Sequence, residues 1–146
     1  MWYTLLLALQ QHLQAQDALS GVVVRIGDSE DVPSVTTLVL LRGANQTDHR
    51  SRNKRGKQTL YVEAWVNSEI DRASDAATES LDGYVQLAAL ETSLIDALHL
   101  FGQQPNVVSG YHIRATIKPI EPDGDAFRPY VASRVEIELE YTKINV

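Results

Sequence analysis

Four histidines are the side chains of this sequence best suited to acid–base chemistry near neutral pH. They are His12, His49, His99 and His112. No two of them stand three or four residues apart, as a helical zinc site such as HExxH requires. His12 and His99 fall in helical patterns, and His112 falls in a strand pattern with Glu138 as its expected neighbour. We therefore interpret the histidines as structural or surface residues, and predict no catalytic residue and no metal site.

Three carboxylates recur at alternate positions near the C-terminus: Glu136, Glu138 and Glu140. Alternate strand residues point the same way, so these groups could act as general acid and base or bind a divalent cation. Because basic residues are expected on the neighbouring strand, we interpret them as a solvated sheet face. The chain has no Cys, and its eight glycines form neither GxGxxG nor GxxxxGK[ST]. Thiol chemistry is therefore excluded, and no cofactor is predicted.

A strongly basic segment, DHRSRNKRGK, stands out because the whole chain has a formal net charge of -6. Five of the 13 Lys and Arg residues fall within eight positions of it: Arg50, Arg52, Lys54, Arg55 and Lys57. The segment is open to three interpretations: a solvated hairpin tip, a nucleic-acid contact, or an arm that docks on an acidic partner. It has no aromatic side chain to stack on bases, so we favour the docking arm.

Tyr61 and Trp65 form a second interaction signal, on the outward side of a predicted strand. Both residue types are enriched at the centres of protein interfaces, so we predict a subunit contact there. The alternative is that a helix covers this side of the sheet and both rings belong to the core.

The elements that position these residues follow from hydrophobic periodicity. Helices are predicted over residues 2–16 and 71–101, and strands over residues 19–26, 35–41, 59–66, 108–118 and 130–142. Folding the last two strands about their loop would set Arg114 beside Glu136 and His112 beside Glu138. We predict an α+β fold with a mostly antiparallel sheet of about five strands, flanked by an N-terminal helix and a long central helix.

Length and composition favour one domain over residues 1–146, with a flexible basic hairpin loop at residues 43–58. The chain has a mass of 16.2 kDa, and 44% of its residues are hydrophobic, enough for one core. The apolar start, MWYTLLLAL, is shorter than the ~20 residues that span a bilayer, and it lacks the basic region of a secretory signal. The sequence therefore predicts a cytosolic protein with no membrane contact.

This order of elements resembles the tail-terminator (tail-completion) proteins of long-tailed bacteriophages, the group to which the lambda tail terminator belongs. The resemblance covers nearly the whole chain. It runs from the first helix through LSGVVVRIG, and through VTTLVLLRG before the basic loop. It continues over TLYVEAWV and the long helix to the final strands YHIRATIKPI and ASRVEIELEYT. No catalytic signature accompanies it, so the resemblance implies a structural protein and not an enzyme.

The resemblance also implies partners and a place. Such a subunit forms a ring, typically a hexamer, that caps the finished tail tube, stops its polymerisation and provides the surface for joining the head. Its partners would be its own copies, the tail-tube protein and the head–tail connector protein. It would be assembled in the host cytoplasm and reside in the virion at the head–tail junction. Tyr61 and Trp65 would be ring contacts, the basic loop a docking arm, and DNA would only pass through the lumen.

Two other functions stay open at this point. One is a different neck component, such as a head-completion or connector protein, which bridges unlike rings with similar size and charge. The other is a small nucleic-acid-binding module that uses the basic loop. That second alternative predicts salt-sensitive binding, lost when the loop's arginines and lysines are neutralised.

Overall fold

A computed structural model describes residues 1–27, 35–48, 55–67, 79–103, 106–122 and 130–144. Within these ranges, two helices and a one-turn 3-10 helix (Asp17–Leu19) accompany seven strands. The helices are α1 (Trp2–Gln14) and α2 (Glu79–Gly102). The strands are β1 (Val23–Ile26), β2 (Thr37–Asp48), β3 (Arg55–Asn67), β4 (Val107–Val108), β5 (Tyr111–Ile117), β6 (Glu121–Pro122) and β7 (Tyr130–Lys143).

All seven strands join one sheet, in the order β1-β2-β3-β7-β5-β4, with β6 paired to β7. Among the described strands, β1 and β2 pair in parallel and the other pairs are antiparallel. The 14-residue β7 lies between β3 on one side and β5 with β6 on the other. The longest strands therefore form the centre of the sheet, and the shortest lie at or near its edges.

The predicted α+β class is wrong. The protein is mostly β, with a curled half-barrel sheet of more than five strands, in place of about five strands flanked by an N-terminal helix and a long central helix. The main difference is that β2 and β3 continue through polar residues: residues 43–48 and 55–58 of the predicted loop lie in these strands. Backbone hydrogen bonding on both sides of β3 favours an extended chain there whatever the side chains.

The core lies on one side of the sheet, which we call the inner face. Four leucines of α1 are fully or almost fully buried there: Leu5, Leu6, Leu9 and Leu13. They pack against alternate residues of β3 and β7, namely Leu60, Val62, Val135, Ile137 and Leu139. The buried side of α2 adds Leu94 and Leu98 to the same core. This arrangement confirms the inward side predicted for both strands and removes large apolar area from water. In the described parts of the chain, no helix is long and apolar enough to cross a membrane.

The predicted register of the final hairpin is wrong by four residues. Arg114 lies opposite Glu140, and His112 lies opposite Thr142. The hairpin stays paired beyond residue 118, the predicted end of its first strand: Lys118 N donates to Glu136 O at 2.9 Å, and Glu121 of β6 lies opposite Arg134 after a bulge that offsets the register by one further residue. A register argued from charge pairs alone could not include that bulge.

His12 joins the two helices. Its Nε2 lies 2.7 Å from the carbonyl oxygen of Ala97, and its ring centroid lies 5.2 Å from that of Phe101. Because a carbonyl can only accept, this geometry requires a hydrogen on Nε2. His12 is half-buried, in contrast to His99, which is exposed on α2.

We expect His12→Ala to lower the free energy of unfolding by about 1–2 kcal/mol, because it removes a partly buried hydrogen bond between the helices and a ring contact. Urea denaturation followed by circular dichroism measures the change. The matched variant His99→Ala should change it by less than about 0.5 kcal/mol. Equal losses for the two variants would contradict the role given to His12.

Candidate docking surface

The side of the sheet opposite the helices, which we call the outer face, carries both interaction signals found in the sequence. Its β3 residues are Arg55, Lys57, Thr59, Tyr61, Glu63 and Trp65. The neighbouring strands add Arg134, Glu136, Glu138 and Glu140 from β7 and Arg114 from β5, with Lys118 just beyond β5. Within the described ranges, both helices pack on the inner face. Two residues of the basic segment, Arg55 and Lys57, therefore lie with the aromatic residues along one side of one strand.

Two of the five predicted docking residues, Arg55 and Lys57, are exposed residues of β3. The other three, Arg50, Arg52 and Lys54, lie outside the described residues. Lys57 Nζ lies 3.5 Å from a carboxylate oxygen of Glu138 and 3.5 Å from one of Glu140. Lys57 of β3 thus partly neutralises the row of carboxylates on β7, Glu136, Glu138 and Glu140, which we call the carboxylate row. With half of the Lys57 side chain exposed, the two pairs contribute at most about 1 kcal/mol to stability.

Tyr61 is a half-buried aromatic held on two sides. The guanidinium carbon of Arg134 lies 3.9 Å from its ring centroid, a cation–π arrangement. On β2, a side chain at Gly43 would come within 2.9 Å of its ring, so only glycine fits at that point. Tyr61 therefore presents a fixed ring to solvent, and ordering it in an interface costs little further entropy.

Trp65 lies four residues beyond Tyr61 in β3, on the same face of the sheet. Its ring packs edge-on against Tyr130, with ring centroids 6.3 Å apart, and its Nε1 lies 3.5 Å from a Glu63 carboxylate oxygen. It is half-buried, and neither described helix packs over it. The predicted alternative, a helix over this face, is therefore not the arrangement of the described residues.

A recess of about 250 Å³ opens beside Tyr61, where the bulge after β5 leaves the sheet uneven. Its lining mixes an aromatic ring, two cations and two carboxylates: Tyr61, Lys118, Pro119, Glu121, Arg134 and Glu136. A space of this size accepts a protein side chain or two more readily than a drug-sized ligand. Across the described residues, no group of three or more His, Asp or Glu side chains is placed to hold a metal ion.

A buried polar network on the inner face supports the end of the β2–β3 hairpin. Gln58 is fully buried: its Nε2 donates to Gly43 O at 3.0 Å and Thr59 O at 2.9 Å, and its Oε1 accepts from Asn45 Nδ2 at 2.7 Å. The two carbonyls belong to the bulge where the β2–β3 register shifts, between Arg42 and Asn45. Sequence reasoning missed this network. The available signal was a polar residue at an inward position of the β3 alternation.

Comparison with known proteins identifies the fold. No family model and no curated protein sequence matches this chain. A chain in the virion of a native gene transfer agent particle is 17% identical, with a TM-score of 0.52, over 95% of this chain and 93% of that one. The PVC sheath/tube terminator of an extracellular contractile injection system, in its extended state, is 10% identical, with a TM-score of 0.54. That match covers 99% of this chain and 57% of the terminator. The chain therefore has a tail-terminator-like fold.

Proposed function

We propose that this protein is a structural subunit of a phage-type tail: a tail terminator that closes into a six-membered ring on the end of the tail tube. The ring stops polymerisation of the tube and offers its other side for joining the head. The observation that carries the proposal is the outer face, an aromatic and charged sheet surface with no described helix on it. Support comes from the likeness of almost the whole chain to a sheath/tube terminator.

A docking role suits this surface better than catalysis does. Its cations and carboxylates are set against one another across strands, as in the pairing of Lys57 with Glu138 and Glu140. Such paired charges give specificity and register between proteins. The fixed rings of Tyr61 and Trp65 provide the apolar centre that a stable contact needs.

The proposal includes the partners and place that go with a terminator of the lambda type. The ring would contact the tail-tube protein on one side and the head–tail connector protein on the other, at the head–tail junction of the virion. Assembly would take place in the host cytoplasm. DNA would pass through the lumen without being held, because a chain with a formal net charge of -6 disfavours binding a polyanion.

Purified protein and tail tubes test this function. Sedimentation and native mass measurement should show a closed ring, and electron microscopy should show labelled protein at tube ends whose growth has stopped. A chain that stays monomeric and binds no tube end contradicts the proposal. Label at head vertices and not at tail ends would indicate another neck protein. Strong DNA binding at low salt would favour the nucleic-acid module.

We expect Trp65→Ala to weaken ring association by about tenfold or more, because truncating a large aromatic at an interface centre removes much of its binding energy. Sedimentation over a range of protein concentrations measures the effect, with urea denaturation as a check that the variant is folded. Gln11→Ala, at an exposed position on α1, is the control and should associate like the wild type. Unchanged association in Trp65→Ala would remove this residue from the ring contact.

A further inference from the structure

The solvent side of α2 is unusually apolar for an exposed helix. Val85 is 67% exposed and Tyr84 is 63% exposed, while the opposite side of the helix is buried in the core through Leu87, Leu90 and Leu94. A surface helix normally turns charged residues to solvent, and apolar residues on both sides indicate a second packing partner. We call the exposed stripe the helix face. Its residues recur at helical spacing: Val85, Ala88, Thr92 and Asp96, with Tyr84 beside them.

Charge is divided between the two layers of the molecule. Neither helix contains a single Lys or Arg, whereas α2 contains Glu79, Asp82, Glu91 and Asp96. The eight Lys and Arg residues that the structure describes all lie in strands or, for Lys118, just beyond one: Arg25, Arg42, Arg55, Lys57, Arg114, Lys118, Arg134 and Lys143. The outer face holds exposed cations at Arg114, Lys118 and Arg134, and its carboxylate row is partly neutralised by Lys57. The described part of α2 is thus acidic and has no cation, whereas the outer face carries exposed cations beside its carboxylates.

We propose that the helix face of one copy docks on the outer face of the next copy. The proposal rests on the ring function above and names the two surfaces that make the ring. Because the two surfaces differ, the contact is heterologous, and such contacts close into rings when the rotation between copies allows it. Acidic α2 residues would face the sheet's cations, and the Val85 region would meet the Tyr61 and Trp65 rings.

The dimensions of the two surfaces agree. The 24 residues of α2 make a helix about 36 Å long, and the 13 residues of β3 make a strand about 43 Å long. A helix can therefore lie along the outer face for its whole length. The small side chains at Ala88 and Ala89 allow close approach of a sheet to the helix.

A single charge tests the helix face. Val85→Glu adds a carboxylate to the N-terminal, most apolar part of the stripe, at a position exposed enough to leave folding intact, which circular dichroism verifies. We expect at least a tenfold loss of ring association in sedimentation. Gln11→Glu adds the same charge at an exposed position of α1 and should still form rings. Rings formed equally well by Val85→Glu overturn this inference and leave the terminator function standing.

Mixing two variants tests whether the contact is head-to-tail. The double variant Arg114→Glu, Lys118→Glu makes the outer face repel an acidic helix and should be monomeric alone, as should Val85→Glu. Mixed together, they should form a one-to-one pair and no ring, because the first keeps an intact helix face and the second an intact outer face. A mixture that stays monomeric overturns the inference and indicates a different contact or partner. A wild-type chain that is itself monomeric overturns both the inference and the ring function.

Discussion

Gly56→Val should lower the free energy of unfolding by about 3 kcal/mol, one of the two largest losses that we expect from a single substitution. Gly56 lies on the inner side of β3, directly opposite Tyr141 of β7. The Tyr141 ring lies over the glycine so closely that a Cβ at position 56 would collide with its hydroxyl and ring carbons. The ring is also packed edge-on against Tyr111 at 5.7 Å between centroids, so it cannot move aside freely. Overpacking of this kind typically costs 1–3 kcal/mol or more.

Urea denaturation of paired variants isolates that collision. Lys57→Val places the same side chain one residue along β3, on the outer face, and should cost at most about 1 kcal/mol from its lost ion pairs. Combining Gly56→Val with Tyr141→Leu removes the ring and its hydroxyl, so the double variant should be more stable than the sum of the single losses predicts. Additive losses in that cycle would show that the aromatic ring is not the cause.

Local sequence patterns predicted the elements that pack one apolar side against the core. The leucines of α1 recur at helical spacing, and in β7 apolar residues alternate with Arg134, Glu136, Glu138 and Glu140, so each element's buried side could be assigned. Both assignments agree with the buried residues of the structure. Hydrophobic periodicity reports burial, and burial was decisive for these elements.

The rest depended on pairings between distant residues. Polar residues 43–48 and 55–58 look like a loop because their side chains carry no apolar alternation, yet they are strands held by neighbours on β2, β3 and β7. Gly56 and Tyr141 are 85 positions apart, so the sequence around either residue does not show that the tyrosine ring packs over the glycine. The same limit applied to the site: Arg55, Lys57, Tyr61 and Trp65 form one surface only because β3 begins at Arg55.

The β2–β3 hairpin matters for the proposed function because Arg55 and Lys57, the described basic residues of the segment, lie on its second strand. Residues 45–48 of β2 pair with residues 55–58 of β3, up to the bulge at Gly43, so the base of the predicted docking arm is a regular antiparallel ladder. Arms that are ordered before docking lose less conformational entropy when they bind. Substitutions that loosen this base should therefore weaken assembly as well as folding, even where they touch no partner.

Gln58→Leu should also lower the free energy of unfolding by about 3 kcal/mol, although leucine fills a similar volume. The substitution removes the donor to Gly43 O and Thr59 O and the acceptor for the Asn45 amide, all at a fully buried position. Each buried polar group left without its partner costs about 1–3 kcal/mol. Because these groups belong to the bulge, the hairpin should open locally, and its amide hydrogens should exchange faster than those of β7.

The same substitution at another glutamine separates this network from a general intolerance of leucine. Gln10 on α1 is half-buried, and its Nε2 donates to Val24 O at 3.1 Å. Gln10→Leu should therefore cost about 1 kcal/mol in the same urea titration. If Gln58→Leu is no more damaging than Gln10→Leu, the buried amide does not hold the bulge. A large loss of unfolding free energy in Gln58→Leu, with hairpin amide hydrogens that exchange no faster than those of β7, would show that the network stabilises the whole sheet and not the arm. Ring assembly would then weaken only as far as global stability falls.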